Sequence, residues 1–139
     1  MKRHVDPVII GLVKHKGKYL LTKRDEPKNT YHNMWQIPGG GLEYGEEVIH
    51  CLKREMREET GLRISSCVLL PVIKDEIRNH WHGILIAYLC EVENPTQVKL
   101  NHEASEYGWF SVEEIEKLTK SNQAFDDVLV FLHEAEKTV

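Results

Sequence analysis

Residues 40–62 read GGLEYGEEVIHCLKREMREETGL and carry the strongest structural signal in the chain. Apolar side chains recur at helical spacing in this stretch, which indicates one buried helix face: Val48, Ile49, Leu52 and Met56. We expect a helix from about Glu46 to Thr60, with Gly45 as its N-cap. Gly61 is suited to end the helix, because glycine readily adopts the left-handed conformation found there.

An acidic cluster lies near the end of this predicted helix and consists of Glu55, Glu58 and Glu59. Glu55 precedes the other two by three and four residues, and side chains at these spacings are neighbours on a helix. Each pair of like charges costs roughly 0.2 to 0.5 kcal/mol, and acids in the last turn also oppose the helix dipole. A bound cation would offset both penalties, whereas the alternative interpretation is a solvated helix end.

A glycine-rich loop precedes the helix and reads QIPGGGLEYG over residues 36–45. Three consecutive glycines after a proline let the backbone approach a ligand closely, at an entropic cost that a plain connection would avoid. We therefore expect amides and carbonyls of this loop to face the ligand, with Gly39 among the substrate contacts. Two adjoining departures from local stability rules indicate a functional site.

The spacing of these residues resembles the Nudix box, the signature of the Nudix hydrolases: G-x5-E-x7-R-E-U-x-E-E-x-G-U, where U is a bulky aliphatic residue. The chain matches every specified position without insertion or deletion: Gly40, Glu46, Arg54, Glu55, Met56, Glu58, Glu59, Gly61 and Leu62. The remaining layout is also similar, with a leading hairpin, a tryptophan before the loop and a late E-x5-W-F segment. The resemblance implies an α/β fold, the Nudix α/β/α sandwich, with a mixed curved sheet between helices.

The other elements are expected from runs of apolar residues and from capping signals. The predicted strands are Pro7–Lys14, Lys18–Lys23, Leu62–Ile77, His82–Glu93 and Tyr107–Phe110. Ser111 and Glu114 form a capping box before a short helix to Leu118, and Ser121 is expected to cap the last helix.

Length and charge indicate a small enzyme rather than a binder of nucleic acid polymers. The chain has 139 residues, which fits a single domain over residues 1–139. Its net charge is −4 and no run of Lys or Arg forms a basic stripe. We find no signal peptide and no apolar stretch near the roughly 18 residues of a membrane span, so we expect a cytoplasmic protein. The three cysteines are interpreted as reduced core thiols.

The resemblance assigns a metal site to the box. It implies that the Gly40 carbonyl and the carboxylates of Glu55, Glu58 and Glu59 hold divalent ions, with Glu58 and Glu59 as the main ligands. An oxygen-only donor set suits Mg²⁺, for which Mn²⁺ can substitute. By the same resemblance, Arg54 orients Glu55, and Glu46 supports the start of the helix.

The resemblance also implies that the general base is either Glu55 or an acid before the late W-F strand. Two acids compete in that segment, Glu103 and Glu106. Glu103 lies farther from the strand, where a loop could close on the metal, so we prefer it as base and as a further metal ligand. Glu106 has the alternative interpretation of a solvated loop acid.

Substrate contacts are less specific in the sequence. Arg24 could meet a phosphate, because its planar guanidinium fits that anion, although a surface salt bridge is an equal alternative. Trp35 could stack on a base or simply pack. Some Nudix nucleotide hydrolases read a purine edge with residues at the position of four polar side chains here: Asn122, Gln123, Asp126 and Asp127. Asn122 and Asp126 are our candidates for substrate contacts. Their alternative role is to cap the last helix and form its first turn.

The resemblance therefore implies a Mg²⁺-dependent pyrophosphohydrolase that cleaves the diphosphate linkage of a nucleoside diphosphate joined to another group. The first expectation is a nucleoside triphosphate converted to monophosphate and pyrophosphate. The alternatives are a nucleotide sugar, ADP-ribose or dinucleoside polyphosphate as substrate, or a non-catalytic nucleotide-binding module. A small nucleotide is the expected partner, and a homodimer is possible.

Overall fold

The computed structural model describes residues 3–138, which form seven strands and three helices. The strands are β1 (His4–His15), β2 (Lys18–Arg24), β3 (Trp35–Gln36), β4 (Gly39–Gly41), β5 (Ile64–Arg78), β6 (Trp81–Val92) and β7 (Ala104–Phe110). The helices are α1 (Val48–Thr60), α2 (Val112–Lys120) and α3 (Asp126–Lys137).

The sheet is mixed, as predicted. Its main path runs β3-β2-β1-β6-β5, while β4 pairs with β1 and β7 pairs with β2. The long β1–β6 pair is parallel, from His4 opposite Trp81 to Val13 opposite Cys90, whereas the other named pairs are antiparallel. The parallel pair forms the centre to which the glycine loop is attached.

Two apolar clusters pack on the sheet. The first joins the sheet to α2 and α3, and it includes Leu12, Leu21, Ile115, Phe131 and Leu132. The second joins the sheet to α1, and it includes Ile9, Val13, Leu20, Leu52 and Met56. Burying each such side chain contributes about 1.5 to 3 kcal/mol. Helices on both sides of a mixed sheet confirm the predicted α/β/α arrangement.

The start of α1 differs from the prediction. The helix begins at Val48, its N-cap position is Glu47, and Gly45 has a left-handed φ of 79° within the preceding turn. The Glu46 carboxylate accepts a hydrogen bond from the Glu43 amide at 3.1 Å, which holds a turn where a first helical turn was expected. The predicted helix end is confirmed, since Gly61 has φ 73° and its amide bonds to the Arg57 carbonyl.

The capping signals of the last two helices have different outcomes. Ser111 and Glu114 form the predicted capping box at the start of α2. The expectation that Ser121 caps the last helix is wrong, because Ser121 ends α2 and its hydroxyl bonds to the Lys117 carbonyl at 2.9 Å. The N-cap position of α3 is Phe125.

Candidate active site

Arg54 connects the glycine loop to the acidic cluster on α1. Its Nε and Nη2 donate to the two oxygens of Glu46 at 2.7 and 3.0 Å. Its Nη1 donates to Glu55 Oε1 at 2.8 Å and to Glu58 Oε2 at 3.3 Å. The bidentate bond with Arg54 lowers the pKa of Glu46 to about 2, so this carboxylate stays charged at neutral pH. Arg54 therefore holds Glu55 in a fixed position.

Glu59 is the most buried carboxylate of the acidic cluster, with 4% of its surface exposed. Its Oε2 accepts a hydrogen bond from the Gly39 amide at 3.2 Å. Burial raises the pKa of Glu59 above its ordinary range, and a hydrogen bond with the Glu55 carboxyl and the charge of Glu103 raise it further. Two acids of α1, Glu55 and Glu59, thus lie close enough to interact with each other, and Glu103 from the segment before β7 lies close enough to act on Glu59.

The chemistry of this donor set fits a hard divalent cation. Within residues 3–138, no three acidic, histidine or cysteine side chains already stand at the distances of a complete metal shell. Instead, the Glu55 carboxyl lies near Glu59 and raises its pKa, as expected of two acids that repel when both are charged. A divalent ion can relieve this repulsion, because it neutralises the same charges and prefers oxygen ligands.

Glu58 occupies a different position from Glu59. Its side chain is 51% exposed and is bound by Arg54. The resemblance assigns both residues to the metal as main ligands; in the structure Glu59 is held by the Gly39 amide, whereas Glu58 is bound by the same Arg54 nitrogen as Glu55.

A cavity of about 480 Å³ opens beside the acidic cluster. The glycine loop, Glu59 and Glu103 form part of its wall, and other parts come from β1, β2, β5, β6, α3 and the segments next to β2 and α3. Charged and polar side chains in this wall are Arg24, Glu26, Gln36, Glu76, Arg78 and Asp127. The volume is within the range of small-molecule sites.

Two of the predicted substrate contacts lie on neighbouring strands but differ in position. Arg24 lines the cavity, where its guanidinium bonds to Glu26 at 2.8 Å and to Gln36 at 3.2 Å, while its buried Nε has no partner. Trp35 is not among the described residues that line the cavity. Its ring packs against Phe110, with centroids 4.9 Å apart.

The first turn of α3 brings one acid to the cavity. Asn122 is exposed in a left-handed turn with φ 59°, and Asp126 is exposed at the start of α3. Neither is among the described cavity residues, whereas the next residue, Asp127, is. Burial and the charge of Glu76 raise the pKa of Asp127 to about 6.

The sequence analysis did not identify Glu76 and Arg78 as cavity residues. Both lie on β5, and the Arg78 guanidinium stacks on the rings of Tyr31 at 4.2 Å and Phe125 at 5.7 Å. In the sequence, Glu76 and Arg78 alternate with Ile77 at the end of a strand, and alternate residues of a strand project to the same face. This alternation was the signal that could have placed both side chains on one face.

The comparisons with known proteins agree with this geometry. The family model of the NUDIX domain matches residues 2–130. Nucleoside triphosphatase NudI from Escherichia coli is 31% identical over 118 residues, a match covering 78% of this chain and 83% of that protein.

Solved structures with low sequence identity show the same fold. The MutT protein from Methanosarcina mazei Go1 has a TM-score of 0.82 at 24% identity, and the match covers 99% of this chain and 96% of that chain. An Ap4A hydrolase from C. elegans has a TM-score of 0.74 at 18% identity, covering 96% and 95% respectively. The family match, the complete box and the acidic cluster beside a cavity lead to one conclusion: the chain belongs to the Nudix hydrolases, enzymes that act on phosphorus anhydrides.

Proposed function

We propose that this enzyme is a Mg²⁺-dependent pyrophosphohydrolase that converts a nucleoside triphosphate to the monophosphate and pyrophosphate. The observation that carries the proposal is the convergence of Glu55, Glu59 and Glu103 beside a cavity of about 480 Å³. The substrate class is supported by the nucleoside triphosphatase that is 31% identical to the chain.

The proposed ligands of the divalent ion are the Gly40 carbonyl and the carboxylates of Glu55, Glu58, Glu59 and Glu103. When bound, the ion would neutralise charge on the phosphoryl oxygens and make a water molecule more acidic. Glu59 is held by the Gly39 amide and Glu55 by Arg54, so both carboxylates are oriented by the chain itself. Glu58 would join them by leaving Arg54, and its exposed side chain has room to turn.

Glu103 is the proposed general base that takes a proton from the attacking water. It lines the cavity and lies near enough to Glu59 for its charge to raise the pKa of that group. Glu106 is a weaker candidate, because it lies on β7 and is bound by Lys23 Nζ at 3.2 Å. Glu55 remains the second candidate, since its carboxylate lies against the glycine loop.

The cavity wall offers contacts for the rest of the substrate. Arg24 would bind a phosphate, because its guanidinium lines the cavity and its Nε has no partner. For the nucleobase, Asp127 is better placed than Asp126, which projects to solvent. Trp35 would act indirectly, because its ring packs against Phe110 and is not among the described residues that line the cavity.

The products distinguish this function from its alternatives. A panel of nucleoside triphosphates, nucleotide sugars, ADP-ribose and dinucleoside polyphosphates is incubated with the enzyme and Mg²⁺, and products are separated by ion-exchange chromatography. We expect monophosphate and pyrophosphate from at least one triphosphate, and no turnover by Glu59→Gln. Production of diphosphate and inorganic phosphate, or turnover of the other classes alone, would contradict the proposed substrate class.

A further inference from the structure

Cys67 and Cys90 face each other across two antiparallel strands. They are register partners in the β5–β6 pair, and both are free thiols in the second apolar cluster, beneath α1. Directly opposite residues have Cα atoms about 4.5 or 5.5 Å apart, depending on the type of pair. Disulfides accept Cα separations of roughly 4.4 to 6.8 Å. The Cα separation of either type of pair therefore permits a disulfide between Cys67 and Cys90.

The two thiols differ in accessibility. Cys67 is half-buried on β5, which is the last strand on its side of the described sheet. Cys90 is 1% exposed, and burial raises its pKa above the ordinary value for a thiol. A reagent in solution can therefore reach Cys67 first, and Cys90 lies beside it as a protonated thiol.

We propose that Cys67 and Cys90 form a reversible cross-strand disulfide when the protein meets a low-molecular-weight disulfide such as oxidised glutathione. The Cys67 thiolate attacks one sulfur of the oxidant, which forms a mixed disulfide and releases one thiol. Cys90 then loses its proton and attacks the Cys67 sulfur, which expels the second thiol. Two protein thiols are oxidised, one oxidant disulfide is reduced to two thiols, and both protons leave with them.

The bridge would fasten the outer strand β5 to β6 beneath α1. It would also restrict the unfolded chain, because residues 67 and 90 would close a loop that contains most of both strands. A bridge closing a loop of this size should raise Tm by about 5 to 10 °C. The same helix carries Glu55 and Glu59, so oxidation would stabilise the side of the sheet that supports them.

The test uses the full chain, treated with oxidised glutathione and analysed by intact mass, non-reducing peptide mapping and thermal melting. We expect the loss of two hydrogen atoms, one cross-linked peptide pair containing Cys67 and Cys90, and a higher Tm that dithiothreitol reverses. Cys51→Ser should form the same cross-link, because its thiol lies elsewhere, against the Gly40 and Gly41 carbonyls. Cys67→Ser should lose both the mass change and the Tm shift.

Four outcomes would overturn the proposal. The first is a reaction that ends at the mixed disulfide between Cys67 and glutathione, and the second is a cross-link that involves Cys51. The bond could join two chains, or no thiol could react while a control peptide is oxidised. Cys67→Ser is preferred to a change at buried Cys90, because it leaves the interior of the cluster intact.

Discussion

Gly40 lies directly against the carboxylate of Glu55: a β-carbon added at Gly40 would fall 2.5 Å from Glu55 Oε2. No side chain larger than that of glycine fits there without moving this carboxylate. Arg54 holds the same carboxylate from the other side, with Nη1 2.8 Å from Glu55 Oε1. The first glycine of the box therefore creates the space in which the first glutamate of the acidic cluster is held.

Gly40→Ala tests this relationship. We expect the added methyl group to displace the Glu55 carboxylate and weaken Mn²⁺ binding by about 10- to 100-fold, as when groups that orient metal ligands are lost. The fold should survive, because the displaced atoms are the end of a flexible side chain. Titration monitored by electron paramagnetic resonance measures the affinity.

Gly41→Ala is the matched control, because an added β-carbon there meets nothing within 4 Å. It should bind Mn²⁺ as the wild type does. Equal losses of affinity in both variants would show that the loop, rather than the space over Gly40, is responsible.

Arg54→Lys should lower kcat by about 10- to 100-fold, because lysine is a point charge and cannot hold Glu46 and Glu55 with the same fork. Steady-state kinetics with a triphosphate and Mg²⁺ checks this. Arg57→Lys is the control, since Arg57 is exposed on the same helix. An Arg54→Lys enzyme with full kcat would contradict the orienting role.

Local signals in the sequence predicted the parts of the fold that depend on few residues. The Gly61 end of α1 and the Ser111–Glu114 capping box are confirmed, because each involves neighbours within one helical turn. The predicted start of α1 was wrong by two residues. It depends on Glu46, whose carboxylate is held by Arg54 eight residues further along the chain.

Other parts of the site depend on contacts that the sequence does not display. Whether Asp126 or Asp127 reaches the cavity depends on the rotation of α3 about its axis. The segment before α3 is fixed by the backbone of Trp35, which bonds to Gln123 and Phe125. Whether Cys67 and Cys90 lie opposite each other depends on the register of the β5–β6 pair, which shifts twice. Such irregularities have no simple periodic signal.

Asp127 should make stability depend on pH. Its pKa rises from 3.8 to about 6 in the folded protein, through burial first and the charge of Glu76 second. Because the folded-state pKa is the higher one, the stabilising contribution is fully present below pH 3.8 and is lost as pH rises through 6.

Asp127→Asn removes this titration. Its free energy of unfolding should exceed that of the wild type by about 1 to 3 kcal/mol at pH 8, and the two proteins should be nearly equal near pH 4. Urea unfolding at both pH values measures the difference. A difference that is the same at both values would rule out the proposed titration.

Ser111→Ala should reduce the free energy of unfolding by about 1 kcal/mol, because it removes the side chain that accepts from the Glu114 amide at the start of α2. Ser121→Ala should cost less than about 0.5 kcal/mol, because the exposed Ser121 hydroxyl bonds to carbonyls at the end of α2 and to the exposed Gln123 side chain, and it caps no helix start. Chemical denaturation of both variants makes the comparison. A larger loss from Ser121→Ala than from Ser111→Ala would contradict the different roles of the two residues.

We propose that the acidic cluster holds a divalent ion beside the cavity. The most direct measurement is an anomalous difference map from a crystal soaked in Mn²⁺ with a non-hydrolysable nucleoside triphosphate. We expect a peak between the phosphates and the oxygens of Gly40, Glu55 and Glu59. A bound nucleotide without a peak there, with Glu55 still held by Arg54 and Glu59 still held by the Gly39 amide, would rule out this role for the acidic cluster.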